Sequence, residues 1–227
     1  MTGPARLASN KDGGGQQQHW REMHLNIERV SETHPNPFAK LKKMTLVFDE
    51  VKATQAAARL LNLGGGSLNY LALIKLLYKA DREALRRWGL PITTDKYVSM
   101  KYGPVTSNIY NRIKAGNQPA SHPTFWSAHM TLIGPHKIAV KNDPGDSELS
   151  LMEEKLLDEI YLADGHRDRF DLAEETHRDF PEWKDPGDSS FPIDIADIIE
   201  ALGLTEEEVN NVKSQIDAQR ASFALSA

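Results

Sequence analysis

Along most of the chain after residue 44, apolar residues recur every three or four positions, which is the spacing of a helix with one buried face. Glycines interrupt this pattern, most clearly at 64–66. Ser150 with Glu153 and Thr205 with Glu208 are spaced as capping boxes, which begin helices. The pattern predicts helices over 45–62 (capped by Thr45 or Asp49), 68–88, 104–114, 150–165, 172–177, 194–202 and 205–221.

Two stretches depart from the helical pattern. Residues 96–102 alternate loosely and predict a short extended segment, after which Pro104 takes the first position of a helix, where proline is tolerated. Residues 125–133 and 137–140 flank a Gly-Pro-His turn and predict a β-hairpin. We therefore expect a mainly α fold of the α+β type, a compact helical domain with one small β-hairpin.

The composition divides the chain into three parts. Residues 1–43 contain a Gly/Gln-rich run and a helix-breaking pair of prolines, and they predict a flexible N-terminal extension. Residues 44–185 carry the regular helical pattern and predict the helical domain. Residues 186–227 predict a C-terminal helical extension packed on that domain.

The overall composition narrows the class of protein. The chain has 227 residues, enough to bury a sizeable core, and it contains no cysteine. The lack of cysteine excludes a disulfide framework and any metal site with cysteine ligands. No apolar stretch reaches the roughly 18 residues of a membrane span. We expect a cytoplasmic protein that does not contact a membrane.

The net charge of −5 conceals an uneven distribution. Residues 44–142 carry 13 Lys/Arg and 5 Asp/Glu, whereas residues 143–227 carry 7 Lys/Arg and 23 Asp/Glu. Because electrostatic steering follows the net potential, the acidic part would repel nucleic acid and favour a basic protein partner.

One helix of the basic part has a regular row of cations. Lys75, Lys79, Arg82 and Arg86 step by four, three and four residues, so they share one face of the predicted helix. Such a row could bind the phosphates of a nucleic acid. It could equally be an ordinary solvated face, or it could dock on the acidic half of this chain or on an acidic partner.

Other polar groups give little support for catalysis or metal binding. His122, His129 and His136 lie seven residues apart, but in a hairpin that step places successive side chains on opposite faces. His166 and His177 lie among acidic residues, but no nucleophile elbow or cysteine accompanies them. We expect no enzymatic activity, no cofactor and no metal.

Between residues 73 and 113 the sequence becomes distinctive. It contains, in order, Leu-Ile-Lys-Leu-Leu-Tyr-Lys-Ala-Asp-Arg (73–82), Trp-Gly-Leu-Pro-Ile (88–92), Lys-Tyr-Gly-Pro-Val (101–105) and Ile-Tyr (109–110). Two later segments, at 150–153 and 176–183, continue the series. The ordered set resembles the SocA-like Panacea domain family, which includes phage-associated GepA-like proteins, and the resemblance covers about residues 45–185.

The resemblance implies an antitoxin of a prokaryotic or phage toxin–antitoxin pair, whose partner is a cognate protein toxin neutralised by direct contact. Some members of the family act instead as adaptors that deliver a toxin to a ClpXP-type protease. A DNA-binding transcriptional regulator, based on the row of cations, is a further alternative, and self-association into a homo-oligomer is left open.

Positions that match the family pattern are the candidate partner contacts: Tyr78, Asp81, Lys101, Tyr102, His177 and Trp183. Each also has a structural interpretation. The two tyrosines have apolar bodies suited to a core, and Asp81 could pair with Arg82 or Lys101.

Overall fold

The computed structural model of the protein describes residues 45–116 and 123–226, so the predicted extension over 1–43 lies outside the described residues. The helices of the described residues are, in chain order, α1 (Glu50–Leu63), α2 (Tyr70–Trp88), α3 (Ser107–Ala115), α4 (Phe125–His129), α5 (Leu151–Asp164), α6 (Arg169–Asp179), α7 (Ile195–Leu202) and α8 (Glu206–Ser226). Within the described ranges, none of these helices is both long and apolar enough to cross a membrane.

Short polar side chains fix where several helices begin. The Asp49 carboxylate accepts the backbone N–H of Lys52 at 3.0 Å, which selects Asp49 rather than Thr45 as the cap of α1. Ser150 and Glu153 form the predicted capping box of α5. The Thr205 backbone N–H donates to the Glu208 carboxylate at 2.7 Å, and this pair begins α8 as predicted.

Six short strands form two antiparallel sheets. They are β1 (Ser67–Asn69), β2 (Tyr97–Met100), β3 (Gly103–Thr106), β4 (Met130–Ile133), β5 (Lys137–Val140) and β6 (Phe191–Ile193). The first sheet has the order β1-β5-β4 and the second has the order β3-β2-β6. The mainly α fold is confirmed, and the structure adds further strands to the expected hairpin, giving two three-stranded sheets.

Two local predictions are corrected. Pro104 lies in β3, opposite Ser99 of β2, and the next helix begins only at Ser107. Because β3 is an edge strand of its sheet, a residue without an N–H can be accommodated there. The predicted hairpin exists, but its first strand is shorter than expected, since residues 125–129 form the one-turn helix α4 before β4.

Helix α2 is the centre of the fold and has apolar clusters on two sides. On one side its buried leucines pack with α1, α5 and the first sheet. On the other side Tyr78 and Leu85 pack with Phe180 and with apolar residues of α7 and α8. The buried residues Val209 and Ile216 of α8 belong to this second cluster, so residues after 186 contribute to the same core as α2.

Candidate functional site

Folding brings three of the six distinctive segments together around the turn between β2 and β3. The first motif (73–82) lies on α2, the second (101–105) forms the turn and β3, and the third (176–183) covers the end of α6 and the loop after it. Gly103 in the turn has a φ of 92°, and a Cβ there would lie 2.5 Å from Nζ of Lys75 and closer still to Oγ1 of Thr176. Glycine is therefore required both by the backbone and by the close packing.

Lys75 is the internal support of this turn. Its side chain is fully buried, and its Nζ donates a hydrogen bond to the Pro104 carbonyl oxygen at 2.8 Å. Burial lowers the pKa of the Lys75 amine to about 7, because a charged amine is poorly solvated inside the protein. The prediction that Lys75 belongs to a surface row of cations is wrong.

The rest of the predicted row is occupied by ion pairs. Lys79 pairs with Asp164 and with Glu175, the latter at 2.7 Å, and Arg82 pairs with Glu182 at 2.8 Å. Arg86 pairs within its own helix, with Glu83. Three interpretations of this row of cations were open. The structure agrees, for Lys79 and Arg82, with the one in which the row docks on the acidic half of this chain.

Tyr78 and Asp81 lie in the interior. Each of these two residues is only 1% exposed. The Tyr78 hydroxyl donates to the Glu182 carboxylate at 2.9 Å, and burial is the main cause that raises its pKa well above the usual value. This corrects the prediction that Tyr78 and Asp81 contact a partner, because a docking protein could not reach these buried side chains.

Asp81 is surrounded by hydrogen-bond donors. Its carboxylate accepts the backbone N–H of Thr93 at 2.8 Å, the Thr93 hydroxyl, and the Tyr97 hydroxyl at 3.1 Å. Burial raises the pKa of Asp81 to about 7, although these hydrogen bonds act in the opposite direction. The predicted pairing with Arg82 or Lys101 is not found, and Asp81 instead holds the segment after α2.

His177 and Trp183 form a stacked pair against the same turn. Their ring centroids are 4.0 Å apart and the planes differ by 11°. The Trp183 indole N–H donates to the Met100 carbonyl oxygen at 3.0 Å, so the pair is attached to β2. Burial, with a smaller contribution from Lys75, lowers the pKa of His177. Both residues are partly buried.

Lys101 and Tyr102 are the candidates that reach the surface. They occupy the tip of the β2–β3 turn, where Tyr102 is 52% exposed. The ring of Tyr102 lies 6.2 Å from the ring of Phe170 at the start of α6. The Lys101 amine has a loose ion pair, 3.5 Å long, with Asp188. The accessible part of the site therefore lies beside this turn.

Sequence reasoning missed several residues that complete the site. Glu182 lies inside the third motif and binds both Tyr78 and Arg82, but nothing in its local pattern indicates burial. Thr93 and Tyr97 follow the end of α2 without a recognisable motif. The aromatic signal at Phe170 was present in the sequence, but only the fold places it beside Tyr102.

The histidines are not arranged for metal binding where the structure describes them. Nδ1 of His129 lies 2.8 Å from the Phe125 carbonyl oxygen, and His136 lies near Tyr70. His122 falls outside the described residues. Over 45–116 and 123–226, there is no group of three or more His, Asp or Glu side chains that could hold a metal ion.

The site thus defines a class of protein: a helical domain in which a central helix, a hairpin turn and a later aromatic segment stabilise one another. Residues 73–184 match the sequence model of the family described as antitoxin SocA-like, Panacea domain. This match confirms, over residues 73–184, the resemblance to the SocA-like Panacea family that was expected from the motifs. No curated protein matches the chain. No solved structure matches it.

Proposed function

We propose that this protein is the antitoxin of a toxin–antitoxin pair and that it neutralises its cognate toxin by direct protein–protein binding, without enzymatic activity. The observation that carries the proposal is the match to the antitoxin SocA-like family over residues 73–184. The proposed setting is the cytoplasm of a prokaryotic or phage-infected cell.

Some of the motif residues are buried and others are exposed, and this difference supports a binding role. Lys75, Tyr78 and Asp81 are buried and hold the turn and the later segments to α2. Lys101 and Tyr102 are exposed at the tip of the turn. The motif thus stabilises a scaffold that presents a rigid surface, and a specific protein interface needs about 800 Å² of such surface per partner.

Co-expression provides the direct test. Each protein encoded beside this chain is expressed alone and together with it in a heterologous bacterial host, and growth is measured. We expect one neighbour to arrest growth alone, to be tolerated in the presence of this chain, and to copurify with it. If no neighbour is both toxic alone and rescued by this chain, the proposed function is wrong.

The proteolytic adaptor makes a different prediction about the toxin. A direct inhibitor leaves the toxin intact in a stable complex, whereas an adaptor shortens the lifetime of the toxin in cells that contain a ClpXP-type protease. Pulse–chase measurement of the toxin, in hosts with and without the protease, separates the two. We expect rescue of growth in both hosts and a toxin half-life that this chain does not shorten.

The structure weakens the nucleic-acid alternative. Its basis was the row of cations on α2, of which Lys75 is buried and Lys79 and Arg82 are paired with carboxylates of the later segment. A cation that already has an anionic partner releases fewer phosphate counterions on binding, and so contributes less affinity.

A further inference from the structure

A cleft with a volume of about 410 Å³ lies beside the β2–β3 turn. Its lining residues form two groups, which we call its walls. One wall contains the turn with Tyr102 and the first residues of α6, and the other contains the beginning of α2 and His136 of the β4–β5 turn. We call this feature the turn cleft. Its volume is in the range of pockets that hold a small ligand or a few side chains of another protein.

Aromatic rings line the two walls of the turn cleft. On one wall the rings of Tyr102 and Phe170 are 6.2 Å apart, and on the other the rings of Tyr70 and His136 are 6.3 Å apart. Tyr102 is 52% exposed and Phe170 is 50% exposed. Tyrosine and arginine are enriched among the residues that carry most of the binding energy of protein interfaces, and tyrosine buries a large area with little loss of side-chain freedom.

The lining of the turn cleft carries a net positive charge. Lys101 and Arg169 are among its lining residues, and no aspartate or glutamate is among the described residues that line it. The first turn of α2 borders it, and a helix N-terminus carries a partial positive charge. The first turn of α6 also borders it, but the Asp168 carboxylate already accepts the Phe170 backbone N–H there at 2.7 Å. The turn cleft is therefore a basic site in a chain whose net charge is −5.

The two cations are only loosely engaged elsewhere. Lys101 lies 3.5 Å from a carboxylate oxygen of Asp188, whose side chain is almost fully exposed. Arg169 lies 3.9 Å from Asp168, and its guanidinium stacks over the Phe170 ring at 4.4 Å. Exposed ion pairs of this kind contribute little free energy, so both cations are available to a carboxylate of another molecule.

We propose that the turn cleft binds an acidic segment of the protein partner, one in which an aromatic or large apolar side chain stands next to a carboxylate. The apolar side chain lies between the walls, and the carboxylate is bound by Arg169 and Lys101. This proposal rests on the proposed function, since it specifies the chemistry by which the partner is recognised.

The test uses the purified full chain and two defined peptides, acetyl-Glu-Phe-Asp-Phe-Glu-amide and its basic counterpart acetyl-Lys-Phe-Lys-Phe-Lys-amide, in calorimetric titrations at low salt. We expect the acidic peptide to bind at least about tenfold more tightly than the basic one, because attraction between opposite charges selects the partner. Binding should weaken as salt is added.

Charge-reversal variants locate the binding. Arg169→Glu should weaken binding of the acidic peptide by about tenfold or more. Arg178→Glu is the matched control, since Arg178 is an exposed arginine of the same helix that does not line the turn cleft. It should change binding by less than about twofold. The melting temperature of each variant is measured to show that it folds.

Four results would overturn the proposal. They are equal binding of the two peptides, equal loss in the two variants, no binding of the acidic peptide up to about 1 mM, and displacement of the peptide by a nucleotide such as ATP that binds more tightly. The titration needs no toxin, so its outcome is independent of the co-expression test of the proposed function. A chain that rescues growth but does not bind the peptide refutes only the proposed role of the cleft.

Discussion

Replacing Gly103 by alanine should destabilise the protein strongly, because this glycine satisfies two independent constraints. Its φ of 92° lies in a region that residues with a side chain rarely adopt. Its α-carbon also faces the buried polar atoms under the turn, with Nζ of Lys75 only 2.5 Å from the position of an added Cβ. The substitution therefore strains the backbone and overpacks the core at once.

The magnitude follows from adding these two effects. A left-handed conformation costs an ordinary residue about 1–2 kcal/mol. Overpacking a well-filled site costs about 1–3 kcal/mol. Lys75 cannot withdraw without lengthening its hydrogen bond to Pro104, and the Thr176 hydroxyl is bound to the Ala173 carbonyl oxygen at 2.7 Å. We expect Gly103→Ala to lower the free energy of unfolding by about 2–5 kcal/mol, a large part of the stability of a typical domain.

Urea unfolding at 25 °C, followed by tryptophan fluorescence, measures this loss. Gly145→Ala is the matched control, because Gly145 has a φ of 69° but nothing lies within 4 Å of an added Cβ. It tests the backbone strain alone, so we expect a loss of about 1–2 kcal/mol. If Gly103→Ala costs no more than Gly145→Ala, the close packing of the turn against Lys75 and Thr176 is refuted.

Three further substitutions and one surface control test the buried polar network by urea unfolding. Asp81→Ala removes the acceptor of three buried donors and should cost about 3 kcal/mol or more, since each unpaired donor costs about 1–3 kcal/mol; Asp179→Ala, at the surface of α6, should cost less than about 0.5 kcal/mol. Arg82→Ala leaves the buried Glu182 carboxylate without its cation and should cost about 3–5 kcal/mol. The Lys75 amine loses its proton near pH 7 when folded but near 10.4 when unfolded, so the unfolded state binds more protons between these values and stability rises with pH. The rise of about 2 kcal/mol between pH 7 and 9 should be absent in Lys75→Met.

The helices were predictable because their signals are local. Asp49, Ser150 and Thr205 satisfy backbone N–H groups within three residues of themselves, so the spacing of a few side chains determines where those helices begin. The second sheet could not be predicted in the same way. Its strand β6 pairs with β2 across more than 90 residues of chain, and no local pattern records such a pairing.

Pro104 shows how a correct rule can be applied to the wrong element. Proline is common at the first position of a helix, and Val105 and Thr106 fit a strand as well as a helix. Proline is also accepted in an edge strand, where it removes no ladder hydrogen bond. The choice depends on β2 lying alongside, which is a property of the folded hairpin rather than of the sequence around Pro104.

Part of the candidate site was predictable from the sequence, but the burial of its residues was not. The motif resemblance selected Tyr78 and Asp81, which lie inside, together with Lys101 and Tyr102, which lie at the surface. Helical spacing placed the cations of α2 on one face, but spacing alone does not reveal what covers that face. Helix α6 and the loop after it cover it, which is why Lys75 is buried rather than exposed.

Part of the uneven charge of the sequence is used in ion pairs within the protein itself. Among the described residues, cations of the basic part pair with carboxylates that follow residue 143: Lys52 with Glu153, Arg59 with Asp158, Lys79 with Glu175, Arg82 with Glu182 and Arg87 with Glu159. These carboxylates are therefore less available to a basic toxin than the net charge suggests. Because a partner must be recognised by groups that the fold leaves loosely paired, the cations and rings of the turn cleft are the better candidates for that contact.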